Sequence, residues 1–408
     1  MPWKEFTAMS QRRELVELLR QGTVSISTMS KRFGVSRKTI YKWLERFELQ
    51  GTHGLIDQSR RPHGSPIKTP ESMEDQVVAL RKQHPAWGGR KLRKRLQVLG
   101  VQQVPSTSTI TEILRRHALL GVPGHRPTQP YQRFEHESPN DLWQMDFKGH
   151  VGMGNGRRCH PLTVLDDHSR YALVLQACGN EQAATVQGAL IASFRRYGLP
   201  KRMLMDNGPP WGEPGLSRWT QLTVWLLRLG VRVSHGRPRH PQTQGKDERF
   251  HRTLVTELLG VGMQWADLMA YQHQFDPWRE MYNHERPHEA IGLAVPASRY
   301  RVSDRVYPET LPVVEYPSSD VVRIVRNGGV IQYRGVVWSL TRAFKDERVA
   351  IRPTRVDGVW AVWFAGEMLG EIDEREVKQQ SRRVGRVAAP VGLRPPSAAT
   401  LPIATECT

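Results

Sequence analysis

Three acidic residues stand in surroundings that point to one chemistry. Asp146 lies in Leu142-Trp-Gln-Met-Asp-Phe147, Asp206 in Met203-Leu-Met-Asp-Asn-Gly208, and Glu248 in Gln242-Thr-Gln-Gly-Lys-Asp-Glu-Arg-Phe-His-Arg252. Both aspartates end strand-like runs, and the glutamate lies on a helical pattern. Three such carboxylates can hold two hard cations against a phosphodiester. Mg²⁺ takes oxygen ligands in octahedral geometry, and a pair of ions can clamp both the attacking and the leaving oxygen.

Each carboxylate has an ordinary reading beside the chemical one. Along 142–147, Trp143, Met145 and Phe147 share one face of a strand, and Asp146 shares the other with Leu142 and Gln144. A carboxylate there is costly unless it is solvated, paired or metal-bound. Asp206 precedes Asn207-Gly208, which is also good turn chemistry, but strand ends are where α/β sites gather. Phe250, Leu254 and Leu258 mark the apolar face of the 243–259 helix, and Glu248 lies about 200° from Phe250. Asp247 is the rival carboxylate, and spacing alone leaves the two open.

The elements that must position these residues follow from periodicity. Strand-like runs at 141–148, 160–167, 170–177, 201–206 and 231–235 alternate with helical runs at 181–197, 217–229, 243–259 and 265–283. That predicts a mixed sheet flanked by helices over 140–300, an α/β layer fold. Asp166-Asp167-His168-Ser169, between two strands, is expected as a hairpin turn. His235, His240 and His251 are expected near DNA phosphate rather than as a metal site.

Ahead of this core, residues 8–48 predict three short helices, with Ser36 capping the third. The Gly34-Val35-Ser36 turn fits a helix-turn-helix within 1–50. Arg37, Lys38, Lys42 and Arg46 lie off its buried face and are candidate DNA contacts. Residues 71–120 repeat the theme, with Arg90, Lys91, Arg93 and Lys94 as candidates there. The Gly/Pro-rich stretches 51–70 and 121–139 are expected as linkers, with Arg60 and Arg61 either in a minor groove, as candidate DNA contacts, or solvated. Lys246, Arg249 and Arg252 flank Glu248 and are expected at the DNA backbone. Residues 320–375 predict a small β-barrel, and 376–408 a disordered basic tail.

Charge agrees with a nucleic-acid partner. The net charge is +19, and residues 1–130 carry 23 Lys and Arg against 10 Asp and Glu. Such a balance favours a polyanion. Cys159, Cys178 and Cys407 have no Cys-x-x-Cys spacing, which argues against a zinc finger or a disulfide framework. No apolar run is long enough to span a bilayer and the N-terminus has no signal-like apolar stretch. A soluble cytoplasmic protein is expected.

The ordered set of motifs resembles the integrase-type DDE transposases of bacterial insertion sequences, with retroviral integrases as more distant relatives. It comprises Trp-x-x-Asp-Phe, Asp-Asn-Gly, and Pro-Gln-Thr-Gln-Gly-Lys-x-Glu-Arg-Phe-His-x-Thr-Leu. Trp87-Gly-Gly-Arg-Lys-Leu92 and Tyr282-Asn-His-Glu-Arg-Pro-His-Glu-Ala290 complete it. The resemblance covers roughly 10–300 and implies an RNase H-like mixed-sheet catalytic core; with the all-α helix-turn-helix modules and the C-terminal barrel read from the residues, a multidomain α/β protein is expected. The resemblance implies a triad of Asp146, Asp206 and Glu248 holding two Mg²⁺ (or Mn²⁺), and it prefers Glu248 over Asp247 because the family glutamate is third after the glycine, here Gly245. It further implies binding of double-stranded element ends and target DNA, cutting by activated water, joining of the 3′-hydroxyl, and a homodimer or higher oligomer near the bacterial nucleoid. A domesticated DNA-binding regulator with an inactive core is the alternative. One departure is the gap of 42 from Asp206 to Glu248, longer than is usual in the superfamily; Pro209-Pro-Trp-Gly-Glu-Pro-Gly215 accommodates it as a loop insertion.

Overall fold

The computed structural model describes residues 7–58, 69–120, 135–212, 218–236, 245–262, 264–375 and 390–395. The chain divides into two units, Met1–Pro70 and Glu71–Thr408.

The first unit holds helices α1 (Ala8–Arg20), α2 (Ile26–Phe33) and α3 (Arg37–Gln50). Thr7, Ser25 and Ser36 cap their N-termini by accepting backbone N–H bonds, which satisfies donors that a helix start leaves open. Gly34 closes α2 at φ 63°, a left-handed conformation that glycine adopts without strain. Leu15, Met29 and Ile40 form one apolar cluster, and Val16, Trp43 and Leu55 a second. Leu55 corrects the linker boundary expected at 51. Residues 51–55 fold back as a 3₁₀ turn, Arg12 donates to the Leu55 carbonyl at 2.9 Å, and the Arg12 guanidinium stacks 4.0 Å above Trp43. Gly-rich composition here serves close packing: a Cβ on Gly54 would meet the Arg46 carbonyl oxygen. Arg60 and Arg61 lie outside the described residues.

The second unit opens with another three-helix module, α4 (Glu71–Gln83), α5 (Gly89–Val98) and α6 (Thr107–Arg116). Val77, Leu80, Trp87, Leu92, Leu96, Ile110, Ile113 and Leu114 are its core. Gly89 is required where α5 crosses α6, because a Cβ would sit 2.9 Å from Thr111 Oγ1.

The central sheet is built from β1 (Trp143–Phe147), β2 (Val151–Gly152), β3 (Arg158–Asp166), β4 (Ala172–Cys178), β5 (Arg202–Met205) and β6 (Arg232–His235). Its main order is β4-β3-β1-β5-β6, antiparallel over β4, β3 and β1 and parallel from β1 to β6, with β2 on the end of β3. Asp166 and Ser169 close the β3–β4 hairpin: the Ser169 backbone N–H and hydroxyl both donate to the Asp166 carboxylate.

Helices cover both faces. Trp143, Met145, Leu162, Val164 and Met203 pack with α7 (Ala183–Tyr197) and α8 (Gln221–Arg228). Cys159, Leu165, Ala172 and Leu175 pack with α9 (Gly245–Glu257) and α10 (Leu268–His284). The outer edge of β4 is closed by side chains of α10: Gln272, Arg279 and Asn283 bond the backbone of Ala177, Leu175, Leu173 and Ala172. An open strand edge invites unwanted pairing, and here one helix satisfies it.

Beyond the core, β7 (Val321–Ile324), β10 (Arg348–Pro353), β11 (Val359–Phe364) and β12 (Glu367–Asp373) form one sheet in the order β12-β11-β10-β7. A second sheet runs β13-β9-β8, from β8 (Val330–Tyr333), β9 (Val336–Ser339) and β13 (Val391–Gly392). The expected closed barrel is not seen among the described residues. A barrel pairs every strand on both sides, whereas among these residues both sheets are open, with bridges Arg326–Val330 and Glu371–Arg394 between their ends. The expectation of a disordered tail over 376–408 also fails at 390–395. There β13 pairs with β9, and Arg394 donates to the buried Asp373 at 2.7 Å. No helix among the described residues is long and apolar enough to cross a membrane.

Candidate active site

β1 and β5 are parallel neighbours, registered Trp143 to Met203 and Gln144 to Leu204. Asp146 and Asp206 each lie two residues beyond the last registered pair, at the same end of the two strands. Asp206 is the residue after β5, held by its own turn. The Gly208 N–H donates to Asp206 Oδ1 at 3.0 Å, and a Cβ on Gly208 would stand 3.3 Å from Oδ2. The His235 ring N–H donates to the Asp206 carbonyl at 2.7 Å, and Asn207 donates to the Gly236 carbonyl at 2.8 Å. The turn chemistry seen in Asn207-Gly208 is therefore real and also presents the carboxylate.

The electrostatics show which acids share this space. Burial, then the charge of Asp206, raises the Asp146 carboxyl to about 7 against the Phe147 backbone N–H; Glu181 and Glu248 add to the rise. Burial raises Asp206 as well, with Glu181 adding and with Gly208 and His235 opposing. Glu181 was not expected from the sequence. It precedes α7, where an acid also suits a helix start, so its residue type carried no separate signal. It accepts or shares a proton with His160 Nδ1 at 2.7 Å.

On α9 the two rival acids part. Glu248 is exposed, while Asp247 is fully buried with neither carboxylate oxygen hydrogen-bonded. Burial and the charges of Asp146 and Asp167 hold the Asp247 carboxyl well above the usual range, with Lys246 opposing. His251 was expected on the DNA side and is instead inside, 7 % exposed. Thr163 pairs with Asp146 across β3 and β1 and donates its hydroxyl to the Asp146 carbonyl at 3.0 Å, so the His251 Nε2–H donates to Thr163 Oγ1 at 2.8 Å. That leaves Nδ1 unprotonated, 4.0 Å from Asp146 Oδ2. Burial, then the charge of Lys148, lowers this imidazole to about 4, which keeps it neutral. The signal for its burial lay in the stripe Asp247, Phe250, His251, Leu254, spaced i, i+3, i+4, i+7.

The basic residues divide likewise. Arg249 and Arg252 are exposed beside Glu248. Lys246 is not at a free surface: its ammonium pairs with the Asp167 carboxylate and donates to the Asp167 carbonyl at 3.3 Å. In the first module Arg37, Lys38 and Lys42 line the exposed side of α3, and Arg46 lies against Trp43 and Gln58. In the second, Arg93 donates to the Pro105 carbonyl at 3.2 Å, Lys94 is half-buried, and Arg90 lies 3.9 Å from Glu289. Burial, then Arg286, lowers the Lys91 ammonium to about 8. The expected linker end at 135–139 is anchored too: Glu135 pairs with Arg170 and Arg299, and the His136 N–H donates to Asp167.

Asp146, Asp206 and Glu248 offer only oxygen donors, as a hard cation requires. Burial and the charge of Asp206 raise Asp146, and a bound cation would offset both. Among the described residues no group of three His, Cys, Asp or Glu side chains is gathered closely enough to hold an ion.

Comparison with known proteins gives a consistent picture. An integrase core domain family matches residues 136–241, and a second family of that description matches 229–296. A helix-turn-helix domain matches 11–63 and a homeodomain-like domain 39–114. The C-terminal domain of the IS481 family transposases matches 320–380. The chain is 29 % identical over 161 residues to the insertion element IS407 uncharacterized 31.7 kDa protein of Burkholderia multivorans, covering 39 % of this chain and 55 % of that protein. It is 29 % identical over 245 residues to the insertion element IS476 uncharacterized 39.2 kDa protein of Xanthomonas euvesicatoria, covering 57 % and 66 %. Over 395 residues it is 22 % identical to the transposase for transposon Tn552 of Staphylococcus aureus, covering 84 % and 78 %. The chain thus spans less than two thirds of the first two relatives.

Proposed function

The chain belongs to the insertion-sequence DDE transposases of the retroviral integrase superfamily, and from that premise we propose that it joins the ends of a DNA element to a second duplex. The observation that carries the proposal is that Asp146 and Asp206 lie at the same end of neighbouring parallel strands, with the charges of Asp206, Glu181 and Glu248 felt at Asp146. Asp146, Asp206 and Glu248 would hold two Mg²⁺ or Mn²⁺, which when bound neutralise developing charge on the phosphate and activate water.

The Gly208 N–H and the β5 register fix Asp206, while Thr163 and neutral His251 fix the strand and helix on either side of Asp146. Arg249 and Arg252 supply positive charge beside Glu248 for the DNA backbone. The proposed chemistry is hydrolysis at the element end to free a 3′-hydroxyl. That hydroxyl then attacks a target phosphodiester in line, forming one P–O bond as another breaks. No covalent bond to the protein is required. The helix-turn-helix modules would bind the terminal repeats, with the protein working as a dimer or larger assembly in the bacterial cytoplasm.

The test is joining of an end-containing duplex, taken from DNA flanking the gene, to a second duplex with Mg²⁺ or Mn²⁺. Product that depends on the metal and on Asp146 and Asp206 supports the proposal. Binding without any joining would favour a regulator that keeps the fold and lacks catalysis.

A further inference from the structure

Two sequence motifs take no part in this chemistry, Trp87–Leu92 and Tyr282–Ala290, and the fold brings them together. Met281 packs against the apolar cluster of the second helical module. Arg95 of α5 donates to Glu285, just past α10, at 2.6 Å. The next turn of α5 carries Lys91 and Arg90, facing Glu257, Glu289 and Arg286.

The contact reaches the helix that carries Glu248. Glu257 is the last residue of α9, and Arg286 donates to its Oε1 at 2.9 Å, both side chains being under a tenth exposed. Glu257 Oε2 is buried with no hydrogen-bond partner, and the Lys91 ammonium is a cation whose charge acts on that carboxylate. Breaking a buried pair by removing one partner is far more costly than losing an exposed one, so Arg286–Glu257 fixes the 282–290 segment on α9; of the pairs that cross to the helical module, half-buried Arg95–Glu285 carries more than the exposed Arg90–Glu289. Tyr282 and Asn283 fasten the other side of the motif, Tyr282 against Phe250 of α9 and Asn283 onto the backbone of Ala172.

We propose that these two motifs are the halves of one docking interface, which fixes the second DNA-reading module on the catalytic core through the basic face of α5. That face then serves the core, and α6, whose Ser108, Arg115 and Arg116 are exposed, the two arginines paired with Glu112 and Glu74, is the element left to meet DNA. The separation between the bases that this module reads and the phosphodiester that is cut is set by the interface. The proposal rests on the transposase reading only where DNA enters, so its first readout needs no DNA.

Hydrogen exchange is measured on the full-length protein with Glu285→Arg, with Arg95→Glu, and with both. Either single change should raise exchange at least tenfold in both 89–98 and 281–290, and the combination should return both segments to within about threefold of the unaltered protein. Because Glu285→Arg leaves the helical module's own residues intact, loss of protection in α5 in that variant cannot come from damage within α5. A single change felt on its own side only, or a combination no better than the worse single change, would overturn the docking. The second readout is binding of a mixed-sequence duplex. The combined variant should bind within about twofold of the unaltered protein; a tenfold loss with restored protection would return α5 to the DNA side and overturn the assignment. Failure of strand joining with exchange behaving as expected would count against the transposase reading alone.

Discussion

Replacing Asp247 by Asn tests the division of labour on α9 most sharply, because the two neighbouring acids are assigned opposite environments. Asp247 is fully buried with both oxygens unpartnered, and burial with the charges of Asp146 and Asp167 raises its carboxyl well above the usual range. Its folded pKa therefore exceeds its unfolded value, near 3.9. Between those two values the unfolded chain has released the proton and the folded chain retains it, so stability falls as pH rises through that window. One proton corresponds to a slope of about 1.4 kcal/mol per pH unit. Asn cannot ionise, so Asp247→Asn should remove this slope. Its advantage over the unaltered protein should be near zero at acid pH and grow by up to about 1.4 kcal/mol for each unit climbed. Denaturant unfolding of both proteins from about pH 5 to about pH 8, followed on buried tryptophan fluorescence, measures the difference. Strand joining by Asp247→Asn should stay within about tenfold of the unaltered protein. A stability difference that is flat with pH, or that turns against Asn as pH rises, would show an ionised Asp247 paired with Lys246 and refute the reasoning.

Two further predictions follow from the same geometry. Asp146 is raised to about 7, and a cation needs the carboxylate, so Mg²⁺ or Mn²⁺ affinity should fall about tenfold per unit as pH drops below 7 and level off above it; calorimetric titration at several pH values checks this, and pH-independent binding would contradict it. Replacing exposed Arg37 and Lys38 by Ala should weaken duplex binding and lower the salt slope by about one for each lost phosphate contact, so filter binding across a salt series that shows an unchanged slope would remove them from the DNA surface.

Much of the core could be read from periodicity. The alternation of Trp143, Met145 and Phe147 gave β1 its buried face, and the wide angle between Glu248 and Phe250 put Glu248 outside, as the structure has it. Periodicity gives a face and says nothing about what that face meets. Lys246 lies one turn from Phe250 and was expected at DNA, yet Asp167 from the β3–β4 hairpin, 79 residues earlier, reaches it first. The basic side of α5 was expected at DNA for the same reason and meets Glu285 of a distant helix end. Leu55 was hidden by its Gly-rich neighbours, which composition assigns to linkers. The β-barrel expectation rests on short strands joined by tight turns. Closure depends on which edges pair, and 390–395, too short to register as a strand, takes one of those edges.

The central claim is that Asp146, Asp206 and Glu248 act as one carboxylate set on a phosphodiester. The direct measurement is metal-dependent joining of an end-containing duplex by Asp146→Ala, Asp206→Ala, Glu248→Ala and Asp247→Ala, with duplex binding measured in parallel. The account predicts a loss of joining of at least a thousandfold in the first three, unchanged duplex binding in all four, and substantial joining in Asp247→Ala. Joining that survives Glu248→Ala and disappears with Asp247→Ala would contradict it.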